Sequence, residues 1–361
     1  MQVGTTVICQ NYQGREDDQE MYRSEMKVAD LTEPLGFDSF WTPEHHFDDY
    51  SIVPNPLTLL AWVAARTTRI KLGAAAVILP WHNPLRVAAE ASMVDTLSNG
   101  RLQLGFGRGL SRIEYEKWQV DMNGTRQYFN ESAKMIIKAM ETGVAEYDGE
   151  AVKQRPADIR PRPMKSLRDR IYVVAGSSDS VPVAAELGAT MMMFSQVRWD
   201  KKANDVAEYR RLFRQHQGRE PNPVVTLDFI YCDSDPQRAK ERAKDFAKQY
   251  FLTVVEHYEM DKGHFRDLKG YQFYAKAAEG LQKIGLDKVA EEFAEIQASG
   301  TPDQILRNLE QRRAALGDYD LNGIFRFSGM TDEEVEKSMR LFAKEVLPVV
   351  QSWQPIRAAA E

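Results

Sequence analysis

The chain has little cysteine. Cys9 and Cys232 are its only two, far apart and each in an apolar, strand-like run. That excludes a disulfide framework and a cysteine-rich zinc site, and it fits a reducing compartment. There is no excess of basic charge either: 47 Lys and Arg face 53 Asp and Glu, a formal net charge of −6. A nucleic-acid partner, which asks for a basic face, is not expected. No apolar run approaches the roughly 20 residues of a membrane span. The opening stretch "MQVGTTVICQNYQG" has no basic segment leading into an apolar core, so no secretory signal is read there. No membrane association and a cytoplasmic location are the expectations. Internal repeats and low-complexity tracts are also lacking.

What is present is an alternation. Strand-like runs are "VGTTVIC" (3–9), "FDSFW" (37–41), "IKLGAAAVIL" (70–79), "RLQLGFG" (101–107), "IYVVAG" (171–176), "TMMMFS" (190–195), "VVTLDFIYC" (224–232) and "GIFRF" (323–327). Helical patterns separate them. In "NPLRVAAEASMVDTLSNG", Leu85, Ala88, Ala89, Ser92, Met93 and Leu97 recur at helical spacing, with Pro84 suited to the first turn and Gly100 to the stop. Strand and helix in turn, without hairpin signals, predict parallel pairing with right-handed crossovers. Eight strands favour a closed (β/α)8 barrel over an open doubly wound sheet. No G-x-G-x-x-G follows the first strand, and "GFGRGL" has the wrong spacing and follows the fourth. A single α/β domain over 1–361 is predicted, with insertions near 144–170 and 257–300; the second is too long for a plain connection.

"WTPEHHF" places Glu44, His45 and His46 just after the second strand, on the rim where such barrels carry their chemistry. Two readings stand from position alone: imidazoles that work near neutral pH, or imidazoles that only satisfy loop hydrogen bonds. No metal is expected. Adjacent histidines seldom point the same way, and the other strand ends offer Arg108, Gly176, Ser195 and Arg326 rather than further ligands.

"GFDSFWTPEHHF", followed by "NPLTLLAWVAARTTRIKLGAAAVILPWHNPLRVAAEASMVDTLSNGRLQLGFGRG", resembles the bacterial luciferase-like flavin monooxygenases, as does the later "IYVVAGSSDSVPVAAELGATMMMF". The resemblance implies a TIM-like barrel that uses reduced FMN and O2, through a C4a-peroxyflavin, to oxygenate a small organic substrate. The reduced flavin would come from a separate flavin reductase, and a homodimer is expected. His45 takes the catalytic position, and His46 a structural one. The bond Ala75–Ala76 falls where the family often has a cis peptide under the flavin ring. Arg108 falls where an arginine meets the flavin phosphate, which suits a forked guanidinium. Ser177 and Ser180 fall at further phosphate or flavin contacts. Trp41 and Met193 are candidates for the substrate pocket. Two positions depart from luciferase itself: Gly107 replaces a reactive cysteine and Gly176 a glutamate, which argues against light emission but not against flavin binding. Two alternatives share this barrel: an F420-dependent oxidoreductase that transfers hydride without oxygen, and a non-catalytic flavin-binding relative or subunit.

Overall fold

The computed structural model describes residues 1–356. Eight of its strands build a barrel: β1 (Val3–Thr6), β2 (Ser39–Thr42), β3 (Lys71–Ile78), β4 (Leu102–Gly107), β7 (Ile171–Val174), β8 (Thr190–Phe194), β9 (Val224–Phe229) and β10 (Tyr319–Ile324). All are parallel, and they close in the order β1-β10-β9-β8-β7-β4-β3-β2. The remaining two, β5 (Val144–Asp148) and β6 (Lys153–Asp158), pair apart from them as an antiparallel hairpin. The hairpin is what the first insertion adds. The eight expected runs all contain barrel strand, but the last is shifted. "GIFRF" begins near the end of β10, which starts at Tyr319. Asp320 and Asn322 alternate with the apolar residues of that strand, so apolar counting misses it. Phe325 and Phe327 lie beyond it, buried against Phe37 and Phe229.

Alternation along the strands builds two layers. One side of each strand packs outward against the helices, with Val3, Phe40, Leu72, Leu102, Ile171 and Leu321 all buried there. The other side fills the barrel with Trp41, Ala75, Tyr172, Met192 and Val225. The indole of Trp41 lies over Gly73, where any Cβ would collide with it; it donates to Ser39 Oγ at 2.8 Å and meets Tyr172 edge-on at 4.9 Å. Met193 is in the outer layer, and Met192 is the methionine on the inner side.

Helix starts follow their caps. Asn83 accepts from Leu85 and Arg86 N–H ahead of Pro84–Leu97, and Asn55 accepts from Thr58 N–H at the start of Pro56–Ala64. Thr301 and Thr331 each form a full capping box. The helix Pro84–Leu97 presents a different face from the one its spacing suggested. Val87, Ala88, Ala91 and Val94 are buried, whereas Met93 and Leu97 are more than half exposed. Among the described residues no helix is long and apolar enough to cross a membrane.

Candidate active site

Thr42-Pro43 ends β2, and the loop that follows is tied back by His45 N–H donating to Val53 O at 3.1 Å. The three charged groups of "EHH" then part ways. Glu44 is buried and serves His46 and His82, not His45: both rings donate through Nε2, at 2.9 and 2.6 Å, and Ile78 N–H donates to the other carboxylate oxygen at 2.8 Å. Burial works against a charged His82, but its bond to Glu44 outweighs that and raises its pKa. Glu44 therefore fixes the end of β3 to the loop after β2.

His45 has another partner. Ser111 caps the short helix Arg112–Trp118, which delivers the buried Glu114 under the loop. Glu114 Oε1 accepts from His46 N–H at 2.7 Å and stands 3.2 Å from His45 Nδ1. A carboxylate only accepts, so Nδ1 of His45 carries the hydrogen, and Nε2 is on the ring's other edge. That Nε2 lies 3.5 Å from the Tyr258 hydroxyl, and the His45 ring stays partly exposed. His257, the last residue of the helix Pro236–His257, puts Nε2 3.7 Å from Glu114 Oε2, and its Nδ1 bonds Asp48 at 2.6 Å. Burial alone would raise Glu114, yet the two histidines pull it down to about 2. Burial alone would lower His257, yet Asp48 and Glu114 push it up to about 9.

Donor atoms of His45, Glu114 and His257 lie within 4.8 Å of one another, close enough for one divalent cation. The strand ends alone gave no such cluster. It is assembled from a loop, a short helix and the end of a long one.

Around the rim, β3 carries a cis peptide at Ala75–Ala76, and its pairing with β4 shifts between Ala74 and Val77. Gly105 of β4 faces this bulge so closely that a Cβ would strike Ala74 O. Arg108 leaves β4 with its guanidinium 3.9 Å above the Tyr271 ring and Nη2 donating to Gly270 O at 2.6 Å. Among the described residues its Nη1 is buried without a partner, and so is Nη2 of Arg126 on the helix Thr125–Thr142. The two arginines and Tyr274 sit within one another's fields, together with Asp179; burial, then Arg108, lowers the pKa of Arg126. Ser177 and Ser180 meet at 3.2 Å between hydroxyls on the turn that carries Asp179. Just before them, a Cβ on Gly176 would come 2.8 Å from the Tyr274 hydroxyl. One on Gly107 would press on Ile78 and Ala76. Both departures from luciferase thus fall where a larger residue would have to push a neighbouring side chain aside.

The structure brings Arg108 and the two serines to one side of the mouth through Tyr274, and places His45 with Glu114. Trp41 lies deeper, in the barrel interior. Glu114, Arg126 and His257 were not found from sequence. Only the fragments "EYE" and "TRQY", each on a helix, mark the first two, and nothing in them points to a site.

Residues 1–319 match the family model described as luciferase-like monooxygenase. The alkanal monooxygenase alpha chain of Photorhabdus luminescens is 26% identical over 344 residues, 91% of each chain. Among solved structures, monooxygenase RslO1 from Streptomyces bottropensis superposes with a TM-score of 0.82 at 24% identity, covering 97% of this chain and 100% of that one. The oxygenating constituent of 3,6-diketocamphane monooxygenase from Pseudomonas putida, solved with FMN, gives 0.74 at 18% identity, over 96% and 98%. The F420-dependent tetrahydromethanopterin reductase of Methanopyrus kandleri gives 0.70 at 21%, over 96% and 99%. At these identities the structural likenesses establish the barrel.

Proposed function

Because this chain belongs to the luciferase-like monooxygenase family, we propose that it is the oxygenase of a two-component system, taking reduced FMN from a separate flavin reductase and using O2 to oxygenate a small organic substrate. One observation carries the flavin part of this reading: Arg108 and Arg126 each hold a buried N–H that no group among the described residues accepts. A buried donor left unmade costs about 1–3 kcal/mol, and two cationic donors side by side repel. A phosphate dianion answers both problems, with the hydroxyls of Ser177 and Ser180 beside it. Ala75, Ala76 and Gly105 keep side chains small where a flat ring would approach β3 and β4.

Bound reduced flavin would supply the electrons that activate oxygen. The chain's own part is then proton handling and exclusion of water. His45 offers a bare Nε2 toward the mouth while Glu114 holds Nδ1, so it can accept a proton there and return it. Tyr258, Tyr271, Tyr274 and Phe265 stand over the same opening, a cover that keeps water from diverting activated oxygen to hydrogen peroxide. Trp41 is the aromatic floor proposed beneath the substrate, with Met192 beside it on the inner side and Met193 behind. A cytoplasmic homodimer completes the reading; Trp62, Met93 and Leu97 are large exposed apolar residues on two adjacent helices.

The test is anaerobic titration with reduced FMN, then mixing with oxygen in the presence of candidate aldehydes, ketones and sulfur compounds. Tight binding, oxygen uptake and an oxygenated product support the proposal. Binding with no oxygen uptake and hydride transfer to deazaflavin F420 would overturn it in favour of the second barrel chemistry. Binding with no turnover of either kind would leave a flavin-binding relative. His45→Ala should keep binding while flavin oxidation becomes uncoupled from product, and full coupling in that variant would remove His45 from the mechanism.

A further inference from the structure

The helix Arg112–Trp118 stands between the histidine loop and the cover. It has seven residues, about two turns, so its side chains sort onto distinct faces. Glu114 and Trp118, one turn apart, face the histidine loop. Glu114 accepts from His46 N–H at 2.7 Å, and Trp118 meets the His46 ring edge-on at 5.0 Å. Arg112 and Tyr115, also one turn apart, face the cover. Tyr115 packs with Phe265 and Tyr271. Arg112 reaches Glu259 at the root of the cover with a forked pair, Nε at 2.7 Å and Nη2 at 2.8 Å. Glu259 is nearly fully buried and its backbone is left-handed, with φ at 48°, a conformation that side chains beyond glycine and asparagine seldom adopt. Gly263 is left-handed too. Between the two, the chain turns out of the helix Pro236–His257 into the cover. Lys262 pairs with Glu259 at 2.6 Å from within the same turn, whereas Arg112 ties that turn to another element. Glu116, one turn along from Arg112, holds the same guanidinium from the helix side.

A short helix tied on both faces moves as one body. Lifting the cover pulls on Arg112 and Tyr115, and the same motion draws Glu114 away from the loop that carries His45. We propose that Arg112 and Glu259 are positioning residues that couple the cover to Glu114, so that the carboxylate sits against His45 and His46 N–H only while the cover is seated. Proton handling is then confined to the closed state, in which water is excluded. This rests on the reading of His45 as the proton-handling group, yet the coupling is measured without any turnover.

The experiment is hydrogen exchange of the His46 amide, whose acceptor is Glu114, read beside limited proteolysis within 257–280 in the flavin-free full chain. Arg112→Met and Glu259→Gln should each speed both rates together, by about tenfold, the worth of one charge-assisted contact. The double variant should be no faster than the faster single, because either change breaks the same pair. Arg112→Lys keeps a cation within reach of Glu259 and should recover most of the wild-type protection. With reduced FMN and oxygen, Arg112→Met should form less product per oxygen consumed while its affinity for reduced FMN changes little. Arg112 is a third exposed, so its variants carry the test if Glu259→Gln fails to fold. Faster cutting of the cover with an unchanged His46 amide in a folded variant overturns the proposal, and so do wild-type rates at both places. A wild type that forms no oxygenated product overturns the functional reading alone, and the exchange and cutting rates still decide the coupling.

Discussion

Arg108 shows what a single residue can and cannot announce. "GFGRGL" marked it, because glycines on both sides let backbone and ligand come close, and the structure leaves one edge of its guanidinium free. The other edge is spent on Gly270 O, and the face on Tyr271. Arg126 could not be read this way. On the helix Thr125–Thr142 it is one polar residue among several, and only tertiary packing brings it into the field of Arg108. Glu114 and His257 were hidden for the same reason, since the ring and the carboxylate that meet at His45 come from distant parts of the chain. Arg108→Ala should weaken FMN binding about ten- to hundredfold, the loss of a charge-assisted contact of roughly 1.5–3 kcal/mol, and leave riboflavin binding nearly unchanged. Arg126→Ala should act in the same sense. Fluorescence titration with both ligands checks this; equal losses for FMN and riboflavin would mean that Arg108 only anchors Gly270 and Tyr271.

At the scale of elements, the segment 257–300 holds two kinds of structure. Its first half crosses the mouth. Phe265 and Tyr271 are buried against Tyr115 and Met122, Gly270 O caps Arg108, and Tyr258 faces His45. Its second half is ordinary packing: the helix Leu286–Ile296 seats Phe293 against Phe229 and Phe251 on the barrel's flank. Sequence length marked an added element here, but not the division between the halves, because both are amphipathic. Strand existence was legible for the same reason that strand ends were not. Apolar alternation survives inside a barrel, whereas Asp320 and Asn322 interrupt it in β10. The mouth half carries exposed Asp261, Lys262, Arg266 and Lys269, with left-handed glycines at 263 and 270. Opening there parts the small cluster of Phe265 and Tyr271 with Tyr115 and Met122 but no strand of the barrel, so it should open before the barrel does. Limited proteolysis of the free protein should cut mainly within 257–280, and bound reduced FMN should slow that cutting. Equal resistance with and without flavin would assign the whole segment to the flank.

For the whole molecule, eight strand–helix units were enough to give the architecture, because each unit repeats a period that does not depend on distant residues. Its stability against pH depends on groups that have no such local signature. Glu25, inside the helix Asp18–Thr32, is buried with neither oxygen hydrogen-bonded among the described residues. Burial pushes it up to about 7, although Arg326 opposes this. Burial likewise lifts Asp320 to about 6. An acid raised on folding favours the native state while protonated, so this contribution is present below the ordinary carboxylate range and is lost as pH rises through 6 to 7. His257, raised to about 9, contributes fully below its ordinary value near 6.5 and loses that contribution as pH climbs through 9. Glu114, held near 2, acts in the opposite sense, its contribution lost only as pH falls toward 2. The melting temperature should therefore peak in mildly acidic buffer, around pH 5, and decline toward pH 9. Glu25→Gln keeps the shape and removes the charge. It should raise stability at pH 8 by an amount on the order of 3 kcal/mol, since a tenfold change in an ionisation constant is worth about 1.4 kcal/mol, and change little at pH 5. Melting curves of both proteins across this range decide the matter. If the variant follows the wild type at every pH, Glu25 is ionised in the native protein and Arg326 sustains its charge.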